Sequence, residues 1–318
     1  MDVCPPLDPP HGVAFGPEMR DALGTVHRPF RFFSADGLVL AGRDHPPLGD
    51  TDRRPVVCLP GLTRNSRDFE PLAARLVAGS ATTPPRRVVT FDFRGRGASS
   101  RDGDPARYNV AQELSDTRLG LAALGIERIT AFGTSRGGIV TMIAGAMAPG
   151  LVEAAVLNDI GAEVELAGLL RIKGYVGRPI PEGFSWDDLV VAMKIANRGE
   201  FPALDDAGWH RFARRLHRDV DGRPALDYDP HLAETLAAIS PQTPMPDLWP
   251  AFDTLAGVPV LLLRGARSDL LSPATTAKMA ERHPALEVVE VADEGHAPLL
   301  EDTPTLDAIV DFLDRVGA

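Results

Sequence analysis

Short apolar runs alternate with stretches of helical spacing along most of this chain, and the alternation breaks once, between about residues 161 and 250. Residues 30–34 and 38–44 flank Asp36-Gly37, a strong signal for a tight hairpin between two strands. Residues 55–59 (Pro-Val-Val-Cys-Leu) form a continuous apolar run ended by Pro60-Gly61, which predicts a buried strand, and a helix follows over 69–77. A second run at 87–91 leads into a loop rich in Arg and Gly, and Val110, Leu114, Leu121 and Leu124 then recur at helical spacing over 109–124. Strand 128–132, helix 137–147 and strand 154–158 continue the series. After the break a strand is predicted at 258–263, a helix at 273–282, a strand at 286–291 and a last helix at 305–316.

Inside the break no run reads as a strand, but several stretches are amphipathic. Ser185 is placed to cap a helix that carries Leu189, Val190 and Met193 on one face. A second helix sets Trp209, Phe212 and Leu216 on one face, and Arg211, Arg214, Arg215 and Arg218 elsewhere read as a solvated surface. An antiparallel start followed by strand–helix repeats implies an α/β fold whose largely parallel sheet is covered by helices on both faces. The expected organisation is an N-terminal arm over 1–25, proline-rich and aperiodic, a core built from 26–160 and 251–318, and an inserted helical cap over 161–250.

Composition narrows the function classes. The chain has 318 residues, enough to bury a large core without disulfides or metal, and its formal net charge of -11 argues against binding a phosphate backbone. Its two cysteines, Cys4 and Cys58, make no framework; Cys58 sits in the apolar run 55–59 and reads as a small core residue, a usage that suits a reducing cytoplasm. The N-terminal residues show no basic stretch followed by an apolar one, and no segment is long and apolar enough to predict a membrane span. A cytoplasmic protein with a small-molecule substrate is the expectation, with a homodimer open to it and neither nucleic acid nor membrane as partner. There is no His-Glu-x-x-His and no cysteine pairing, so no metal or other cofactor is expected.

The sharpest chemical feature is Gly133-Thr134-Ser135-Arg136-Gly137, which follows a predicted strand and precedes a predicted helix. A nucleophile at the apex of such a turn crowds its neighbours, and glycine two residues before and after relieves that crowding. A serine hydroxyl needs a base, and His296 stands in a loop just after the last predicted strand, at the sheet edge where Ser135 must lie. The other histidines fall in the arm, the first hairpin, the cap or, for His283, at the end of a surface-type helix. The base needs an acid in turn. Asp269, between serine and histidine in chain order and beyond the strand at 258–263, is the expected residue; Asp159, directly after the strand at 154–158, is a rival at the same edge, and Asp293 a weaker one.

These motifs resemble those of the α/β-hydrolase superfamily, and the resemblance runs from about residue 30 onward. Besides the Ser135 motif, Leu59-Pro60-Gly61-Leu62-Thr63-Arg64-Asn65 resembles the segment that supplies part of the oxyanion hole. The stretch from Asp92 to Ser99 resembles the family's D-x-R-G-x-G-x-S loop, and Gly295-His296 its histidine loop. The resemblance implies a mostly parallel eight-stranded sheet and an oxyanion hole made by the backbone N–H groups of Leu62 and Arg136. Pro60 stands where many members have histidine, which leaves the backbone donor in place but alters the loop's side chains.

Serine rather than aspartate at the nucleophile position separates the chain from the haloalkane dehalogenases and epoxide hydrolases it also resembles. The implied activity is that of a carboxylesterase or lactonase: attack on an ester, lactone or thioester through an acyl-enzyme on Ser135, or transfer of that acyl group to another acceptor. Hydrolysis of carbon–carbon bonds in ring-cleavage products is the alternative, although Ala297-Pro298 follows the histidine where those relatives often carry tryptophan. A ligand receptor that keeps the triad is another. Trp186, Trp209 and Met193 are the cap residues expected to line an apolar pocket for an apolar or aromatic substrate.

Overall fold

A computed structural model describes residues 12–317. The strands are β1 (Ala14–Phe15), β2 (Met19–Arg20), β3 (Val26–Phe33), β4 (Val39–His45), β5 (Val56–Leu59), β6 (Val88–Asp92), β7 (Ile129–Thr134), β8 (Val152–Asn158), β9 (His217–Val220), β10 (Arg223–Leu226), β11 (Val260–Gly265) and β12 (Leu286–Val291). The helices are α1 (Glu70–Ala78), α2 (Val110–Ala123), α3 (Arg136–Met147), α4 (Leu166–Tyr175), α5 (Trp186–Asn197), α6 (Asp206–Leu216), α7 (Trp249–Asp253), α8 (Pro273–Arg282) and α9 (Thr303–Arg315). No helix among the described residues is long and apolar enough to cross a membrane.

The main sheet has the order β1-β3-β4-β6-β5-β7-β8-β11-β12, with β2 paired to β3 off this path, ten strands in all. The pairs from β6 through β12 are parallel, and β1 to β4 meet their neighbours antiparallel. The expected count of eight is short by β1 and β2. These two-residue strands lie in the stretch read as a loose arm and hydrogen-bond along β3; residues 1–11, and Cys4 with them, lie outside the described residues.

The central strands are buried on both faces, which is why each reads as an unbroken apolar run. Val57 and Leu59 of β5, Ala131 of β7 and Leu262 of β11 face a core with α2, α3, α7 and α8. Their alternates Val56, Cys58, Phe132, Leu261 and Leu263 face α1 and α9, where Phe69 and Phe132 meet edge to face with ring centroids 5.8 Å apart. Cys58 is fully buried, and burial pushes its thiol up, so it is a packing residue. His283 ends the mostly exposed helix α8, as expected, but its own side chain is buried, with Nε2 bonded to the Leu255 carbonyl (2.8 Å).

Residues between β8 and β11 supply α4 to α7, and they include an antiparallel hairpin, β9–β10, that the sequence pattern did not predict. β9 is polar and mostly exposed and β10 is only four residues long, so no extended apolar run marks them; Asp221 and Gly222 at the tip both have positive φ (51° and 78°), the backbone of a tight hairpin turn. The expected N-cap at Ser185 is present, and Asp188 completes it as a capping box. Arg215 departs from the solvated-face reading: it is buried against the Leu299 carbonyl (3.3 Å) and paired with Glu301.

β5 lies between β6 and β7. The chain therefore winds one way after β5 and the other way after β6, and the loops leaving β5 and β7 part at their carboxyl ends. That crevice is where open α/β sheets bind ligands.

Candidate active site

Ser135 leaves β7 at this crevice with φ 49° and ψ -111°, a strained backbone that no helix or strand uses. The strain is held by fixed bonds: its N–H donates to the Asn158 carbonyl (2.9 Å), and its own carbonyl accepts from Gly138 and Ile139 (2.9 and 3.1 Å). A Cβ on Gly133 would stand 2.5 Å from the Gly137 carbonyl, and one on Gly137 would collide with the Leu59 carbonyl, so both flanking glycines are demanded by close backbone approach.

His296 reaches Ser135 from the loop after β12. Its Nε2 is 2.9 Å from Ser135 Oγ and its Nδ1 2.8 Å from Asp159 Oδ2. A carboxylate at Nδ1 keeps the proton there, which leaves Nε2 as an acceptor for the serine proton. Asp159 is wholly buried directly after β8; besides His296 it accepts from Gly265 N–H (2.9 Å) and Ser268 Oγ (2.6 Å). Asn158 donates from Nδ2 to Thr134 Oγ1 (3.2 Å) and to the Pro298 carbonyl (3.1 Å), so the strand ends carrying serine and acid are tied to the histidine loop.

Asp269, expected at the place Asp159 occupies, is held elsewhere. Arg171 on α4 grips it with two parallel bonds, Nε to Oδ2 at 2.6 Å and Nη2 to Oδ1 at 2.9 Å, and reaches Glu200 with Nη1 at 3.0 Å. Burial would raise the Asp269 carboxyl, but Arg171 outweighs it and holds the group below the usual range. Asp293 is half-exposed and pairs with Arg267. Both Asp159 and Asp269 satisfy the order serine, acid, histidine, so chain order does not separate them; in the structure His296 Nδ1 contacts Asp159, and Asp269 is bonded to Arg171 of α4.

Leu62 follows β5 and lines the same cavity as Ser135, and Arg136 is the first residue of α3, where the N–H has no partner within the helix. Behind them lies a network the sequence reading missed. Arg96 is buried and donates from Nε to the Leu62 carbonyl (2.8 Å) and from Nη1 to the Arg94 carbonyl (2.7 Å). Its Nη2 is 2.8 Å from Glu113 Oε1, and the other oxygen of that carboxylate accepts from Arg136 Nε at 2.7 Å. Glu113 is fully buried; burial would raise its carboxyl, but Arg136 and Arg96 outweigh it and hold it down. Its signals in the sequence are Arg96 within the Asp92–Ser99 loop and the polar residues Glu113, Asp116 and Thr117 on the buried side of α2.

The cavity over Ser135 has a volume of about 330 Å³. Ile172, Phe184, Leu189, Met193, Phe212 and Leu216 supply much of its apolar wall, from the segment between β8 and β11. Met193 is there as expected. Trp186 and Trp209 are not: they pack with Phe201 and Phe212 in a separate cluster, Trp186 under the Arg214 guanidinium at 3.7 Å. No group of three or more His, Cys, Asp or Glu side chains among the described residues is placed to hold a metal ion.

Comparison with known proteins bears on the same region. Residues 56–308 match the model of a family described as the alpha/beta hydrolase family. The crystal structure of an alpha/beta hydrolase from Novosphingobium aromaticivorans superposes with a TM-score of 0.82 at 43% identity, covering 91% of this chain and 98% of that one. A 3-hydroxybutyrate-oligomer hydrolase of Cupriavidus necator is 34% identical over 256 residues, 78% of this chain and 84% of the relative. A 2-(acetamidomethylene)succinate hydrolase of Mesorhizobium japonicum is 30% identical over 259 residues, 80% of this chain and 86% of the relative.

Proposed function

The chain belongs to the alpha/beta hydrolase family, and from that premise we propose that it is a serine hydrolase of small-molecule esters working through an acyl-enzyme on Ser135. One observation carries the reading: His296 bridges Ser135 Oγ and the buried Asp159 carboxylate at 2.9 and 2.8 Å. His296 Nε2 takes the serine proton as Oγ attacks the ester carbonyl, and the resulting imidazolium, stabilised by Asp159, returns a proton to the leaving alcohol. Water activated by the same nitrogen then releases the acid.

The oxygen that turns negative during attack is received by the N–H groups of Leu62 and Arg136, each such donor being worth about 3 kcal/mol in a dry site. The segment over 161–250 acts as a cap: its apolar wall shields the acyl-enzyme and selects the acyl or alcohol part by size. 3-Hydroxybutyrate oligomers, named for the Cupriavidus necator relative, are the first substrates to test against this cavity.

The test is hydrolysis of a graded series of p-nitrophenyl esters and 3-hydroxybutyrate oligomers by wild type beside Ser135→Ala. Multiple turnover that disappears in a folded Ser135→Ala variant is the expected result. Equal turnover by both proteins would refute the nucleophile.

A further inference from the structure

The charge of the cavity runs against the charge of the chain. The protein carries a formal net charge of -11, yet the described lining of the cavity over Ser135 includes three arginines, Arg64, Arg171 and Arg178, and no aspartate or glutamate. Two of the three are neutralised from behind. Arg64 pairs with Asp68 at 2.5 Å, and Arg171 with Asp269 and Glu200. Arg178 differs: among the described residues its guanidinium has no ion pair and no hydrogen-bond acceptor, while its backbone N–H is tied to the Tyr175 carbonyl at 3.1 Å.

The backbone at Arg178 is fixed on both sides. Gly177 before it has φ 79° and donates its N–H to Tyr228 Oη at 3.2 Å, and a Cβ on Gly177 would press on the Pro230 carbonyl. Pro179 after it locks its own φ and restricts Arg178 to extended conformations. Arg178 is thus an exposed cation without a neutralising partner among the described residues, carried on a braced turn that borders the mostly apolar cavity holding the serine. A guanidinium in that setting pairs best with a planar, two-oxygen anion.

We propose that Arg178 is a carboxylate-recognition residue, and that the natural substrates are small esters bearing a free carboxylate besides the bond that is cleaved. This inference rests on the esterase reading above and adds the substrate's charge to it. Hydrolysis converts R–CO–OR′ and water into R–COOH and HO–R′; the recognised carboxylate takes no part in bond breaking and anchors one end of the substrate while the other lies against Ser135.

The experiment uses two esters of equal length, the 4-nitrophenyl monoester of adipic acid and the same molecule with its far carboxylate methyl-capped. Wild type, Arg178→Ala and Arg178→Lys are compared by kcat/KM, with Ser135→Ala as the blank. Wild type is expected to prefer the free carboxylate by about tenfold or more, chiefly through KM, as a charge-assisted hydrogen-bonded pair allows. In Arg178→Ala that ratio collapses toward one, and Arg178→Lys restores part of it. A wild-type ratio near one, or a ratio that survives Arg178→Ala, overturns the proposal while serine-dependent turnover leaves the esterase reading standing.

Calorimetry with monomethyl adipate on Ser135→Ala tests the anion site without turnover. Binding that is lost in the Ser135→Ala/Arg178→Ala double variant supports the site even if neither ester is hydrolysed, the result that would defeat the esterase reading. Equal binding, or none to either protein, overturns the site.

Discussion

Glu113→Gln should damage both stability and catalysis, although Glu113 touches no substrate. Its carboxylate is fully buried between Arg96 and Arg136, with contacts of 2.8 and 2.7 Å. Removing one partner of a buried ion pair costs about 3–5 kcal/mol. The lower end applies here, because Arg96 keeps the Leu62 and Arg94 carbonyls and Arg136 keeps the Tyr108 carbonyl (2.9 Å) as acceptors. With an unfolding entropy of about 2.1 cal/mol/K per residue, a chain of this length loses roughly 4–5 °C in Tm for about 3 kcal/mol.

The catalytic effect follows from what the two arginines hold. Arg96 fixes the carbonyl of Leu62, and Arg136 is itself the second expected oxyanion donor; the loss of one such donor costs about 10²–10³ in kcat. A loosened donor should cost about tenfold, in kcat and not in KM, because the interaction is made in the transition state. The checks are thermal unfolding, kcat and KM measured well below Tm, and the affinity of a boronic acid that mimics the tetrahedral intermediate. That affinity should fall by the same factor as kcat. A variant that loses Tm but keeps kcat and boronate affinity would show Glu113 to be structural only; an unchanged Tm would refute the ion-pair argument. Because its carboxyl is held below the usual range, Glu113 stabilises the fold above its unfolded-state pKa. The stability gap between wild type and Glu113→Gln should therefore narrow as pH falls below the unfolded-state pKa and close as it passes through the depressed folded value.

Glu294 behaves in the opposite sense: burial pushes its carboxyl up to about 7, although the Leu299 N–H bond (2.6 Å) opposes the rise. Its contribution is fully present below the unfolded value and is lost as pH rises toward 7, so Glu294→Gln should be nearly neutral at pH 4 and should raise Tm at pH 8, by at most about 3 kcal/mol of stability. A variant equally affected at both pH values would refute this. Asp269→Asn should cost less than about threefold in kcat/KM, because the Glu200 contact still holds Arg171 and Asp269 does not contact the His296 ring nitrogens. Steady-state kinetics on one ester decides it.

What was legible in the sequence follows from what burial writes into it. The strands β5, β7, β8 and β11 are covered on both faces, so their apolar runs stand out, and the glycines around Ser135 are fixed by steric contact with named neighbours. The hairpin β9–β10 has a polar, exposed first strand and a four-residue second one; its one mark is Asp221-Gly222, the same signal that predicts the β3–β4 turn. β1 and β2, at two residues each, are too short for any period to show. Turn chemistry and sheet-edge position single out Ser135 and His296 in the sequence, and the structure brings the two side chains to 2.9 Å. No such signal separates Asp159 from Asp269, which stand at the same edge; in the structure His296 Nδ1 contacts Asp159, while Arg171 of α4, remote in sequence, holds Asp269. Arg178 is likewise silent in sequence: that it has no neutralising partner among the described residues is a property of the folded neighbourhood.

The central claim is that His296 is set by Asp159 and not by Asp269, and one comparison tests it directly. Asp159→Asn and Asp269→Asn are measured side by side for kcat/KM on an ester that wild type turns over in a Ser135-dependent way. Loss of the buried partner at Nδ1 should cost about 10³–10⁴-fold in Asp159→Asn, against less than about threefold in Asp269→Asn. A larger loss in Asp269→Asn than in Asp159→Asn would contradict the account.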